Sequence, residues 1–119
     1  MTKPPLHTVV ETPTFVKGAR RIGISKAEHD ALLDMLMAEP SGGELIVGGG
    51  GVRKVRLAKE ETGKSGGYRV LTFYMGEDAP AYLLAIIDKT EVDNISAEQK
   101  KQLRALAKAI KDERKQAAR

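Results

Sequence analysis

Three runs of β-forming residues, joined by short polar or glycine-rich links, constrain this chain most. They are Val52–Ala58, Tyr68–Met75 and Ala81–Ile87. Each is strand-length and rich in β-branched or aromatic residues, which pack well on a pleated surface. The links Lys59–Gly67 and Gly76–Pro80 are shorter than the crossover that parallel neighbours require. An antiparallel meander is therefore predicted for residues 52–87.

The flanking segments supply helices to cover it. His7–Thr12 reads as a first strand, stopped by Pro13, and Phe15–Arg21 as a short helix with Gly23 near its end. Ser25-Lys26-Ala27-Glu28 is a capping box, and Leu32, Leu33, Leu36 and Met37 follow at helical spacing, so a helix is expected over 25–38. Pro40 ends it, because proline disfavours helical geometry in the residue before it. Glu44–Val47, bracketed by Gly42-Gly43 and Gly48–Gly51, reads as a short extended piece. Ser96-Ala97-Glu98-Gln99 is a second capping box. Leu103, Leu106, Ala107 and Ile110 then form the apolar stripe of a C-terminal helix. The predicted class is α+β, an antiparallel sheet meander flanked by N-terminal helices and a C-terminal helix, rather than alternating βαβ. Residues 1–6, with two prolines, read as a loose tail, and 7–119 as a single domain.

Composition removes several function classes. The chain has 119 residues, enough for one core but not two. With no cysteine, disulfide staples, Cys-ligated zinc and cysteine catalysis are excluded. His7 and His29 are the only histidines, which disfavours a multi-histidine metal site or a Ser-His-Asp triad. Aromatics are 4% and Trp is absent, so a platform of several stacked rings is not expected. No stretch approaches the roughly 18 apolar residues of a membrane span. Met1–Pro5 has no apolar run behind its lysine, as a secretory signal would, so a cytoplasmic location is expected. The 20 Lys+Arg exceed the 16 Asp+Glu, giving +4 and favouring a polyanionic partner.

Ala58-Lys59-Glu60-Glu61-Thr62-Gly63-Lys64-Ser65 comes close to a phosphate-binding P-loop, with alanine in place of the first glycine. Such a loop works because a helix follows it and aims its first amides at the phosphates. Here Gly66-Gly67 and a strand follow, and Glu60 and Glu61 would repel a triphosphate. A hairpin connection with a basic tip is the better reading.

The cations of the meander form a more coherent set. By the strand period of two, Lys54 and Arg56 share one face, and Arg53, Val55 and Leu57 the other. Arg69 opens the next strand, Lys64 sits in the link before it, and Lys89 lies just past the last strand. Arginine grips phosphate with two prongs and lysine acts as a point charge. RNA carries its own nucleophile, the 2′-OH next to each phosphate. Cleavage then needs only orientation, charge stabilisation and proton transfer, and a lysine among other cations can serve as base. No metal or other cofactor is required. Tyr68, beside Arg69, is the best candidate to stack on a base. His29, on a helix among acids, is expected to be simply exposed, and the cations of the C-terminal helix to form a solvated face.

At these residues the chain resembles the RelE/HigB toxins of bacterial type II toxin–antitoxin systems. The resemblance is carried by Gly50-Gly51-Val52-Arg53-Lys54-Val55-Arg56, by Gly63-Lys64-Ser65-Gly66-Gly67-Tyr68-Arg69-Val70, by Tyr82-Leu83-Leu84 and by Lys89-Thr90-Glu91. Glu39-Pro40 before Gly42–Ile46, and the final helix, fit as well. It spans about residues 8–115. It implies a small α+β fold and a metal-independent endoribonuclease that cuts mRNA in the ribosomal A site through the 2′-OH, leaving a cyclic or 3′ phosphate. Lys54 would orient or deprotonate the 2′-OH and Arg56 would share that work. Arg69 would stabilise the charged phosphate, and Arg53 and Lys64 would bind RNA. Lys89 would protonate the leaving oxygen, because Thr90 stands where some members have an arginine. Ile87 and Thr72 replace aromatics that are usual in the family.

The implied partners are mRNA, the ribosome with its 16S rRNA, and a cognate antitoxin. Such antitoxins often carry a helix-turn-helix DNA-binding domain, so operator DNA would be met only through the antitoxin. No membrane partner is implied. The rivals are a non-nuclease toxin of the same fold, such as the ParE-type gyrase poisons, and a degenerate member that only binds RNA or antitoxin.

Overall fold

The computed structural model describes residues 8–59, 67–88 and 95–117. His7, Lys64, Lys89, Thr90 and most of the P-loop-like stretch lie outside them. The elements run β1 (Val9–Glu11), α1 (Pro13–Ile22), α2 (Lys26–Ala38), β2 (Glu44–Leu45), β3 (Arg53–Leu57), β4 (Tyr68–Tyr74), β5 (Ala81–Asp88) and α3 (Ala97–Ala117). The predicted α+β class holds, with helices packed on a five-stranded sheet of order β1-β5-β4-β3-β2.

β2 to β5 pair antiparallel with their neighbours, whereas β1 returns to lie parallel to β5, so the sheet is mixed. Parallel pairing needs a long connection, and here the whole of the intervening chain supplies it. The short piece at 44–47 contributes two residues to a hairpin with β3, placing Glu44 opposite Lys54 and Leu45 opposite Arg53.

Local chemistry sets the helix ends. Thr12 caps α1 by accepting the Phe15 N–H at 3.3 Å, Pro13 occupies the first turn, and Gly23 closes the helix in the left-handed region. The box at Ser25 forms in both directions: the Ser25 hydroxyl accepts the Glu28 N–H at 3.0 Å and the Glu28 carboxylate accepts the Ser25 N–H at 2.8 Å. Ser96 and Gln99 repeat it at the start of α3.

The sheet separates two apolar clusters. On one face, Phe15, Leu32 and Leu36 from α1 and α2 pack on Val55, Leu57, Tyr68, Val70, Leu83 and Ile86. On the other, Leu103, Ala107 and Ile110 of α3 cover Val52, Leu71, Phe73 and Leu84. Alternation along β5 breaks once. Leu71 faces Ala85 while Thr72 faces Leu83, so Leu84 is an extra residue that forms a β-bulge. This single insertion changes which face the rest of β5 presents, and it turns Ile87 to the α3 side. Thr12 fastens the bulge: its hydroxyl donates to the Leu83 carbonyl at 2.8 Å and reaches the Leu84 carbonyl at 3.3 Å, and its N–H donates to Leu83 at 3.1 Å.

The basic outer face of α3 is more than solvated charge. Arg104 donates to the Gly48 carbonyl at 2.7 Å and Arg114 to the Asp78 carbonyl at 2.9 Å, while the Lys111 ammonium lies 5.7 Å from the Phe73 ring centre. These contacts tie both ends of the helix to the loops of the sheet.

Candidate active site

β3 and β4 carry the candidate residues. Val55, Leu57, Tyr68 and Val70 belong to the α1/α2 core, so the alternate positions Lys54, Arg56 and Arg69 point to the α3 side. α3 covers that face over Leu71, Phe73 and Leu84, and the cations lie beside the covered area. Arg56 and Arg69 are directly paired across the strands, with Lys54 opposite Leu71. Like charges facing each other on a sheet disfavour folding by about 0.2–1 kcal/mol. The register thus sets two arginines side by side at one end of the meander.

A cleft of about 350 Å³ runs along this row, lined by Gly43, Glu44, Lys54, Val55, Arg56, Tyr68 and Arg69. Glycines bring its walls together. A Cβ on Gly43, which has φ of 87°, would stand 2.3 Å from the Lys54 carbonyl oxygen. One on Gly67, at φ of 105°, would stand 2.9 Å from that of Leu57. No side chain fits either approach.

Sequence reasoning missed Glu44. Its carboxylate lies 3.8 Å from the Lys54 ammonium, with the two side chains 81% and 39% exposed. Such an exposed, long contact contributes little to stability, but it gives Lys54 a carboxylate neighbour at the cleft. The sequence pattern alone misleads by one residue: closing the hairpin over Gly48–Gly51 would set Glu44 opposite Val55, whereas the connection takes in Val47 as well, with the Ile46 N–H donating to the Val52 carbonyl at 2.9 Å, and this sets Glu44 opposite Lys54.

The expected site residues do not all meet. Lys54, Arg56 and Arg69 come together as expected. Arg53 falls on the opposite face, across from Thr72, and its guanidinium reaches the Gly43 carbonyl at 3.4 Å. It thus braces the turn that forms the cleft wall. Lys64 and Lys89 lie outside the described residues.

Tyr68 is a correction. Its ring is 6% exposed and sits in the α1/α2 core, on the face away from the cations, with its hydroxyl donating to Glu28 at 3.3 Å. Burial, followed by the Glu28 charge and hydrogen bond and then Asp88, pushes its ionisation above the usual tyrosine value. The Lys59 ammonium lies 5.4 Å from its ring centre and also pairs with Asp88 at 3.1 Å. Tyr68 borders the cleft, but so little of it is exposed that it packs in the core rather than offering a face to a base. The strand period already puts it on the Val70 face, opposite Arg69; adjacency in sequence concealed this.

His29 is likewise more engaged than expected. Its Nε2 lies 2.7 Å from the Glu11 carboxylate, and its ring stacks on Phe15 with centres 6.4 Å apart. This pairing links α2 to β1, on the side of the sheet away from the cleft.

Comparison with known proteins bears on the family and the fold. The family model described as "RelE toxin of RelE / RelB toxin-antitoxin system" matches residues 8–118. A solved structure of a mutant E. coli toxin RelE in the free state superposes with a TM-score of 0.52. It covers 74% of this chain and 88% of its own, at 14% identity, a likeness of fold.

Proposed function

The chain belongs to the RelE toxin family of toxin–antitoxin systems, and from that membership and its paired cations we propose that it is a ribosome-dependent mRNA interferase. The observation that carries this reading is the direct pairing of Arg56 with Arg69 beside Lys54 on one open sheet face. Two arginines and a lysine on adjacent strand positions suit a phosphate, which accepts charge-assisted hydrogen bonds from several donors at once.

The reaction needs no group from outside the RNA and the protein. Lys54, assisted by Arg56, orients the ribose 2′-OH and takes its proton. The 2′-oxygen bonds to phosphorus, and the bond from phosphorus to the 5′-oxygen of the next nucleotide breaks. Arg69, with Arg56, holds the extra negative charge that builds on the phosphate oxygens. Lys89 delivers a proton to the leaving 5′-oxygen, and a 2′,3′-cyclic phosphate remains. Lys64 contributes RNA contacts, and Arg53 supports the cleft wall through Gly43. The codon in the ribosomal A site presents the substrate, and 16S rRNA completes its positioning. A cognate antitoxin with a helix-turn-helix DNA-binding domain holds the toxin inactive in the cytoplasm by covering the cations or blocking ribosome entry.

The test is induced expression in a bacterium, with primer extension on a translated transcript and on an untranslated copy. Cuts in register with codons, confined to the translated message, are expected. Alanine at Lys54 or Arg69 should reduce cutting about 100- to 1,000-fold, the usual consequence of removing a charge-stabilising donor, with antitoxin binding intact. Growth arrest without cuts would move the target to gyrase or another non-RNA partner. Toxicity that survives both substitutions would refute the catalytic assignment.

A further inference from the structure

Next to the cation row lies an apolar recess that the proposed chemistry does not use. It measures about 330 Å³, at the low end of the roughly 300–1,000 Å³ of small-ligand pockets. Its floor is Leu71, Ala85 and Ile87 of the sheet, and its roof is Leu106 with Gln99 and Gln102 on α3. The two sites share a face and a register. Leu71 is the cross-strand partner of Lys54, and Ile87 that of Arg69. Directly opposed side chains stand about 5 Å apart, roughly the span of the sugar that separates a phosphate from its base. The recess owes its floor to the bulge at Leu84, which turns Ile87 to this side.

We infer that this recess seats the base of the nucleotide whose phosphate rests on the Lys54–Arg56–Arg69 row, with the Gln102 amide reading the base edge. The inference rests on the ribonuclease reading above. Its occupant follows from the cross-strand adjacency of an apolar slot to the row of cations proposed to bind phosphate. A base is the flat, largely apolar group that hangs one sugar away from a phosphate. Of the described rings on this face, Phe73 and Tyr82 lie toward the other end of the strands and pack under α3, so an aliphatic slot takes the place of an aromatic platform. The two glutamines differ in availability. Gln99 spends its carbonyl oxygen on the Ser96 N–H at 2.8 Å. Among the described residues the exposed Gln102 amide has no hydrogen-bond partner, and it keeps both a donor and an acceptor for a base edge.

The experiment is a methyl- and amide-resolved NMR titration of the purified chain. The probes are the four nucleoside 3′-monophosphates, the four nucleosides and inorganic phosphate. The 3′-monophosphates should move the Ile87 and Leu106 methyl signals and bind about tenfold tighter than inorganic phosphate, the equivalent of the 1.4 kcal/mol that one well-seated base supplies. The four should differ among themselves. Gln102→Ala, a change at an exposed helix position, should flatten those differences and leave the affinity for inorganic phosphate unchanged. Nucleotides that bind no tighter than phosphate and leave the recess methyls still would overturn the inference while the cation reading stands. Nucleosides that move the recess methyls while phosphate shifts nothing would support the recess and overturn the cation row instead.

Discussion

Thr12 offers the sharpest test of how this fold is assembled, because one hydroxyl serves two elements. It accepts the Phe15 N–H to cap α1, and it donates to the Leu83 carbonyl at 2.8 Å where β5 bulges. Thr12→Val keeps the shape and removes the hydroxyl. Losing the cap costs about 1 kcal/mol. Losing the second bond costs about 1 kcal/mol at most, because the Leu83 carbonyl still accepts the backbone N–H of residue 12 at 3.1 Å and is not orphaned. The expected total is about 1.5–2 kcal/mol. With a urea m-value of about 1–3 kcal/mol/M for a small domain, the midpoint should fall by roughly 0.5–2 M with the slope unchanged. Thr12→Ser keeps the oxygen and should stay within about 0.5 kcal/mol of the parent chain. Urea melts followed by circular dichroism give all three values. Equal stability of the valine and parent chains, or a serine variant as weak as the valine one, would refute the double role.

Three further outcomes follow from the site and its surroundings. Arg56→Gln should raise stability by a few tenths of a kcal/mol at low salt, an increment that about 1 M NaCl screens away, while cleavage falls; urea melts at two salt concentrations measure it. Gly43→Ala should destabilise by about 1–3 kcal/mol, since the new Cβ meets the Lys54 carbonyl at a positive φ; wild-type stability there would mean the hairpin can shift. Tyr68 has a folded-state pKa above its unfolded value, so it stabilises fully below the ordinary tyrosine pKa of about 10 and loses that contribution as pH rises through the folded value. Tyr68→Phe should remove from an absorbance titration a phenolate component that ionises above the usual tyrosine range, and lessen the fall of stability above pH ~10.

Much of this architecture is legible in local chemistry. Both capping boxes form, the three strands of the meander appear with ends shifted by a residue or two, and Lys54, Arg56 and Arg69 gather because a period of two and short links leave few alternatives. What escaped was set at long range. The parallel return of β1 joins residues about seventy positions apart, and nothing near Val9 announces its partner. The bulge at Leu84 depends on Thr12 reaching across the sheet, so a strict alternation gives the wrong face for Ile87. Tyr68 and Arg69 are neighbours in sequence yet face opposite sides, and the buried ring answers to Glu28 on another element. Glu44 escaped because the turn takes in Val47 beyond the glycine run, and that one extra residue decides whether Lys54 or Val55 is its partner.

The parallel pairing of β1 with β5 also sets the order in which the molecule can become complete. Synthesis delivers Val9–Glu11 first among the strands and Ala81–Asp88 last among them, and the Leu83 carbonyl that holds Thr12 arrives with the latter. The first strand and the anchoring of the first helix must therefore wait for the fifth strand, since a contact so distant in sequence forms only after its loop can close. While the chain grows, β3 and β4 can pair but lack the strand that flanks Arg69. A growing chain built this way holds its cations on an incomplete sheet until β5 has been made.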